Sequence, residues 1–274
     1  MNGNIKKSII AGSWYPGHPR VLKADIHDFF DKAPDRNIKG EIVGLVAPHA
    51  GYVYSGQVAA YAYKCLMGKN FDAVIVIGPS HRALFDGVSA YDQGGYETPL
   101  GIVYVDTDLT HEMMNAGSVI SVLPAVHTQE HSIEIQLPFL QVILSDFCFV
   151  PLMMGDQNSR TCVRLAEAIF RAIQDKKCLI VASSDLSHFH DYQEAVKMDA
   201  GILRHLENMD DEGLLRNLAR RNVEACGGGP MAVAMMVAKK LGADKVEVMP
   251  YANSGDITGD RDSVVGYASA VFYR

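Results

Sequence analysis

Two histidines stand directly behind apolar runs, where a short turn could hold a metal-binding side chain rigidly. His49 follows the run at residues 42–48, and Ser80 and His81 follow the run at 73–79. Neutral imidazoles fixed at the ends of two strands are a common way to present a divalent transition metal. A catalytic site of this kind would also need a third, preferably anionic, ligand and open coordination positions.

The segment "EHSIEIQLP" (residues 130–138) adds another histidine with carboxylates beside it. His131 and Glu134 are three positions apart at a predicted helix start, so they would share one helix face. Acidic residues at a helix N-terminus are also favoured by the helix dipole alone. The alternative makes His131 a ligand, a substrate donor or a partner of a ligand, with Glu134 orienting a nearby imidazole.

The segment "SSDLSHFH" (residues 183–190) could contain a base and the group that orients it. Asp185 would orient His188, and His188 would move a proton. In the alternative interpretation, Ser184 or Asp185 only caps the helix predicted to begin near residue 191.

The segment "VEACGGGPM" (residues 223–231) supplies a candidate thiol ligand. Cys226 precedes three glycines and Pro230, which suits the first turn of a helix. A thiol at this position is expected to have a lowered pKa, which would make thiolate available for ligation or for nucleophilic attack. The N–H groups of residues 227–229 could also bind an anion.

The elements that must position these groups follow the pattern of an α/β protein. Four apolar runs are continuous rather than alternating, which predicts strands buried on both faces of a mainly parallel sheet; they are residues 42–48, 73–79, 149–155 and 178–185. Helical spacing between them predicts helices at 55–67, 107–116, 131–145 and 160–175. Since ligands bind beyond the carboxyl ends of strands in such sheets, the histidines and Asp185 should meet at one edge.

The remaining sequence completes one domain over residues 1–274, because no linker long enough to separate two domains is present. Residues 96–106 predict a hairpin or edge insertion. Three helices are expected near 191–208, 210–221 and 230–241, and two strand-like pieces near 245–254 and 263–273 should take antiparallel or edge positions. Pro138 should kink the helix at 131–145 or mark its true start. The fold expected is therefore α/β, with a mixed, mainly parallel sheet and helices on both faces.

Composition excludes several classes of function. A net charge of −7 without a Lys/Arg run argues against a nucleic-acid surface. No stretch approaches the ~20 apolar residues that cross a bilayer. The five cysteines are scattered, odd in number and free of CxxC pairs, which favours reduced thiols in a cytoplasmic protein.

Seven ordered blocks of this sequence resemble the Memo family over nearly the full length. They are "AGSWYP" (11–16), "APHAGYVYSG" (47–56), "GPSH" (78–81), "EHSIEIQLPF" (130–139), "SSDLSH" (183–188), "ACGGGP" (225–230) and "RDSVVGYAS" (261–269). The family is similar in fold to the class III extradiol ring-cleaving dioxygenases, which hold Fe(II) with two histidines and a carboxylate. The resemblance therefore implies a dioxygenase-like α/β domain.

The resemblance also implies roles for six residues. The metal ligands would be His49, His81 and Cys226. His188 matches the proton-shuttling histidine of the dioxygenases, with Asp185 beside it, and His131 falls where a pocket-lining histidine is expected. Fe(II) is the implied metal, while a thiolate in place of the carboxylate widens the choice to copper or zinc.

Three classes of function stay open at this point. The first is a metal-binding oxidoreductase that takes a small-molecule substrate. The second is a metal-independent hydrolase or thiol enzyme with Cys226 as nucleophile and His188 or His49 as base. The third is a non-catalytic module that binds a peptide or phosphorylated ligand in the same pocket, a role described for a human family member. The resemblance further implies a pathway shared with an AMMECR-type protein and a radical S-adenosylmethionine protein.

Overall fold

The computed structural model describes residues 4–144, 146–174 and 176–274. The predicted ends of two helices, at residues 145 and 175, lie outside these ranges. The strands are β1 (Ile5–Lys6), β2 (Ile42–Ala47), β3 (Ala73–Pro79), β4 (Val88–Ala90), β5 (Gly95–Thr98), β6 (Gly101–Tyr104), β7 (Ile120–Val122), β8 (Phe149–Met154), β9 (Cys178–Ser183), β10 (His188–His190), β11 (Lys245–Val248), β12 (Ala252–Asn253), β13 (Val264–Tyr267) and β14 (Ala270–Tyr273). The helices are α1 (Pro19–Lys32), α2 (Tyr52–Lys64), α3 (Thr107–Ala116), α4 (Pro124–His127), α5 (Leu137–Ile143), α6 (Ser159–Ala172), α7 (Tyr192–Glu207), α8 (Asp211–Ala219), α9 (Gly228–Lys240) and α10 (Ser254–Thr258).

An eight-stranded sheet with the order β11-β14-β2-β9-β3-β8-β4-β7 forms the centre of the fold. The four predicted apolar strands lie together in its middle, and the pairs β2–β9, β9–β3 and β3–β8 are all parallel. β14 pairs antiparallel with β2, and β11 forms an antiparallel edge on β14, as their alternating patterns predicted. The expected mixed, mainly parallel sheet is confirmed.

Each face of this sheet has its own apolar core, as continuous hydrophobicity requires. Along β3, Val74 and Val76 pack with α1, α2 and α5, whereas Ile75 and Ile77 pack with α3, α6 and α9 on the other face. Helices therefore cover both faces, as predicted. Helix α1 was not predicted, although it buries Leu22, Ile26 and Phe30 at intervals of four residues.

Two smaller sheets flank the main one. The hairpin predicted at 96–106 is β5 and β6, which pair antiparallel, and β1 adds to β5 in parallel. The strands β10, β13 and β12 form the second small sheet, and His188 begins β10 five residues after β9 ends at Ser183. None of the helices within the described ranges is both long and apolar enough to cross a membrane.

Local signals fix two helix starts near the site. A 3₁₀ turn at Glu134–Gln136 precedes α5, and Pro138 lies in the first turn of α5, so Pro138 marks the true start of that helix rather than a kink. The Asp191 side chain caps α7 by accepting hydrogen bonds from the backbone N–H groups of Gln193 and Glu194. The alternative in which Ser184 or Asp185 caps this helix is therefore wrong.

Candidate metal centre

Three potential ligand atoms converge where parallel strands end. β2 and β3 finish just before His49 and His81, and Cys226 lies just ahead of α9. One ligand atom from each of the three residues lies within 4.8 Å of the other two. The structure thus brings together the three residues that the sequence predicted as ligands.

His49 is oriented by a buried hydroxyl. Its Nδ1 lies 3.0 Å from Oγ of Ser183, which donates its one proton to the Ser132 carbonyl oxygen at 2.5 Å. Because that proton is used, the hydroxyl can only accept from His49, so Nδ1 of His49 carries the hydrogen. The lone pair is then on Nε2, which faces the sulfur of Cys226 at 3.0 Å. This is the tautomer that a metal ligand requires.

His81 is oriented by a carboxylate that the sequence analysis did not select. Glu130 is 1% exposed, and its Oε1 accepts a hydrogen bond from Nδ1 of His81 at 2.9 Å. Its Oε2 accepts from the backbone N–H of His81 at 2.6 Å. Burial alone would raise the pKa of Glu130, but the bonds from His81 hold it well below its usual range. An ionised Glu130 therefore leaves Nε2 of His81 free for a metal.

His131 packs beside the two candidate ligand histidines. Its ring stacks on His81 with centroids 4.7 Å apart, and Trp14 covers it at 4.3 Å. Its Nδ1 lies 3.2 Å from Oε1 of Glu130, so His81, His131 and Glu130 form a second group of closely spaced polar atoms. Burial lowers the pKa of His131 to about 4, which keeps the imidazole neutral at pH 7.

The loop around Cys226 depends on a close backbone approach. At Gly227 a Cβ would overlap the Ser183 carbonyl oxygen, so only glycine fits there. The backbone N–H of Asp185 donates to the Cys226 sulfur at 3.2 Å. Burial, reinforced by the charge of Asp185, raises the pKa of the Cys226 thiol. The lowered pKa that the helix start predicted is therefore wrong for the surroundings that the protein itself provides.

The glycines after Cys226 do not provide a free anion site. The N–H of Gly227 donates to Oγ of Ser184 at 2.9 Å, and that of Gly229 donates to Oε1 of Gln157 at 2.7 Å. The N–H of Gly228 points to the Ala225 carbonyl oxygen. These donors are already used within the fold, so the suggested anion site is not supported.

Asp185 supports His49 rather than His188. Its Oδ1 accepts hydrogen bonds from the backbone N–H groups of His49 at 2.7 Å and Ala50 at 3.2 Å, and its Oδ2 lies 4.0 Å from Nε2 of His49. Burial raises the pKa of Asp185 to about 7. The predicted pairing in which Asp185 orients His188 is therefore not formed, because the carboxylate is committed to the loop that carries His49.

His188 lies between two cavities. One has a volume of about 600 Å³, opens above His49, His81 and His131, and is named here the histidine cavity. The other has a volume of about 1070 Å³, runs along α6, α8 and α9, and reaches Cys226. His188 lines both, and burial lowers the pKa of its imidazole, so it is a neutral base available to either cavity.

Glu134 has a structural role away from the histidines, so its predicted role in orienting an imidazole is wrong. Its buried carboxylate pairs with Lys6 at 2.7 Å and accepts hydrogen bonds from Ser8 at 2.6 Å and Tyr15 at 2.8 Å. The residue that orients an imidazole is Glu130, four positions earlier in the same segment. The signal was present in the sequence, but helical spacing favoured Glu134.

Fold and site together define an α/β protein with a candidate centre of two histidines and one cysteine at the carboxyl edge of its sheet. The family described as Memo-like protein matches residues 6–271, and this chain belongs to that Memo family. A MEMO1 family protein of Methanobrevibacter smithii is 40% identical over 98% of this chain and 99% of its own. One from Nitrosopumilus maritimus is 37% identical with the same coverage.

The fold has a counterpart among solved structures. An uncharacterized protein from Escherichia coli K12 superimposes with a TM-score of 0.52 over 84% of this chain and 99% of its own. Its sequence is 10% identical, so the likeness concerns the fold alone.

Proposed function

We propose that this protein binds one divalent transition metal through Nε2 of His49, Nε2 of His81 and the sulfur of Cys226, and that it acts as a non-heme iron oxidoreductase. One observation carries the proposal: each imidazole has its Nδ1 held by a buried partner, so both lone pairs remain available beside one sulfur. Metal-binding histidines are usually fixed in this way by a second hydrogen bond.

The donor set suits a transition metal better than magnesium or calcium. Imidazole nitrogens are good ligands for iron, copper and zinc, and a thiolate favours the softer of these metals. Fe(II) is the first choice because of the resemblance to iron dioxygenases, with copper or zinc as the alternatives. A bound Fe(II) would supply the electron-transfer chemistry, and three protein ligands leave coordination positions open.

The surrounding residues would manage protons and position. Because the Cys226 pKa is raised by its protein surroundings, metal binding would have to displace the thiol proton. Neutral His188 would accept a proton from a substrate held in the histidine cavity, which it lines. Asp185 would hold the His49 loop, and His131 would form part of the cavity wall.

Elemental analysis of protein purified without oxygen tests the metal site. Near-stoichiometric iron or copper is expected in the wild type and in Cys148→Ser, whose thiol is exposed and remote in sequence from the proposed ligands. Both Cys226→Ser and His49→Ala should lose it. Protein that holds no metal, even after reconstitution, would contradict the proposal. If the wild type does hold metal, its oxygen consumption is assayed next.

Metal-independent thiol chemistry is the second candidate, because the Cys226 sulfur and Nε2 of His49 are 3.0 Å apart, as in a nucleophile–base pair. The raised thiol pKa counts against it, since a reactive cysteine needs surroundings that favour thiolate. Chelation separates the two candidates: a chelator abolishes metal-dependent turnover, whereas a Cys–His hydrolase keeps its rate.

A further inference from the structure

The histidine cavity contains one unbalanced positive side chain. Among its described lining residues, Arg82 is the only lysine or arginine and Asp185 the only carboxylate. The other polar groups include four imidazoles, which carry no negative charge in any protonation state. Whether this cavity favours an anionic ligand therefore depends on whether Asp185 neutralises Arg82.

Asp185 does not neutralise Arg82. Its Oδ1 accepts from two backbone N–H groups of the His49 loop, and no described carboxylate lies within 4.0 Å of the Arg82 guanidinium. Glu130 is near in the fold, but it is buried and its oxygens are bonded to His81 and the 131–132 backbone. Arg82 is an exposed residue that also lines the cavity, and its guanidinium, with five N–H donors, has no acid partner in the described structure.

The backbone that carries Arg82 is nevertheless fixed. Oγ of Ser80 donates to the Ala83 carbonyl oxygen at 2.7 Å and accepts from the Ala83 N–H at 3.2 Å. The N–H of His81 donates to Glu130. Arg82 lies between these anchored positions, so its backbone position is tied to that of the proposed ligand His81.

The walls of the cavity suit a flat molecule. Trp14, Tyr54 and Tyr267 line it together with the imidazoles, and aromatic faces pack best against planar groups. The volume of about 600 Å³ lies within the usual range for small-molecule sites. The planar part of a ligand would pack against the aromatic side chains, and an anionic substituent would accept hydrogen bonds from the Arg82 guanidinium.

We propose that the substrate class of this site is a small planar molecule with one anionic group, a carboxylate or a phosphate, and that Arg82 is the residue that selects it. This inference rests on the proposed function in one respect: it assumes that the end of the molecule that reacts lies at the metal. The anion contact itself involves Arg82 and needs no metal.

Ligand binding measured by calorimetry tests the inference with benzoate, phenyl phosphate and the neutral analogue benzamide. At least one anion should bind the wild type about tenfold or more tightly than benzamide, the effect expected for a charge-assisted hydrogen bond. Arg82→Gln should abolish this preference, and Arg82→Lys should keep part of it because the charge stays but the planar fork is lost. Arg164→Gln is the matched control, since Arg164 is exposed on α6 outside this cavity, and it should bind like the wild type.

The inference is overturned if Arg82→Gln keeps the anion preference, if benzamide binds the wild type as well as the anions do, or if neither anion binds at millimolar concentration. Each titration is repeated with metal-free and metal-loaded protein, and metal content is measured beside it. Metal retained with no anion preference refutes this inference alone. An anion preference through Arg82 in protein that takes up no metal on reconstitution refutes the proposed function and leaves the anion site standing.

Discussion

Replacing Glu130 by Gln should damage the proposed metal centre without removing any proposed ligand. Oε1 accepts hydrogen bonds from Nδ1 of His81 and from the backbone N–H groups of His131 and Ser132, each at 2.9 Å, and Oε2 accepts from the His81 N–H. An amide offers only one acceptor oxygen, so its NH₂ group must face at least one of these N–H donors.

The size of the effect follows from these contacts. One buried donor left without a partner costs about 1–3 kcal/mol in the free energy of unfolding. Loss of the carboxylate that orients a ligand imidazole weakens metal affinity by about 10–100-fold. Both changes should be visible in Glu130→Gln, by urea unfolding and by competition with a chromogenic chelator for iron or zinc.

Glu134→Gln is the matched control from the same segment. Its carboxylate is equally buried and accepts hydrogen bonds from Lys6, Ser8 and Tyr15, but it contacts no histidine. This variant should lose comparable stability while its metal affinity stays at the wild-type level. Equal metal affinities in the two variants would refute the assignment of Glu130 as the residue that orients His81.

Three further predictions concern the loop, the metal and pH. Gly227→Ala should lower both stability and metal content, because its Cβ would overlap the Ser183 carbonyl oxygen; unchanged metal content by elemental analysis would contradict this. Iron(II) at about 100 times its dissociation constant should raise the unfolding free energy by about 2.7 kcal/mol in the wild type, and thermal unfolding of Cys226→Ser should show no such gain. Burial, with the charge of Lys6, holds the pKa of His127 at about 3 instead of 6.5. Between these two pH values the unfolded chain binds a proton that the folded chain does not. The free energy of unfolding therefore falls as pH falls, by at most about 1.4 kcal/mol per pH unit. Urea unfolding of His127→Gln should show a flatter slope between about pH 6 and pH 4, and an unchanged slope would count against this account.

The central fold was predictable because its strands are buried on both faces and read as uninterrupted apolar runs. Strands such as β4 and β7 have only three residues each, too few to produce a periodic pattern. Helix α1 is a different case, since Leu22, Ile26 and Phe30 do follow a helical interval. The sequence therefore carries a readable helical signal for α1.

The meeting of His49 and His81 was predictable because parallel strands deliver their carboxyl ends to one edge of a sheet, whereas Cys226 entered the ligand set through the family resemblance. The groups that orient them were not, since they depend on irregular backbone. Glu130 lies in the irregular segment between α4 and the 3₁₀ turn, where its carboxylate meets His81, whereas helical spacing pairs His131 with Glu134. The thiol pKa was predicted from a local rule about helix starts, and burial outweighs that rule at Cys226.

The pairing of β2 has a consequence for the order in which the protein can fold. Its two neighbours in the sheet, β9 and β14, both come from far later in the chain, and the ligand residues span positions 49 to 226. During synthesis β2 has no native strand partner until β9 has emerged, and its second side stays open until β14 follows. Long-range strand pairing of this kind is slow and leaves edges exposed. The proposed ligand set can therefore be complete only after Cys226 has been made, and an interruption of synthesis before β9 leaves His49 just beyond an unpaired strand.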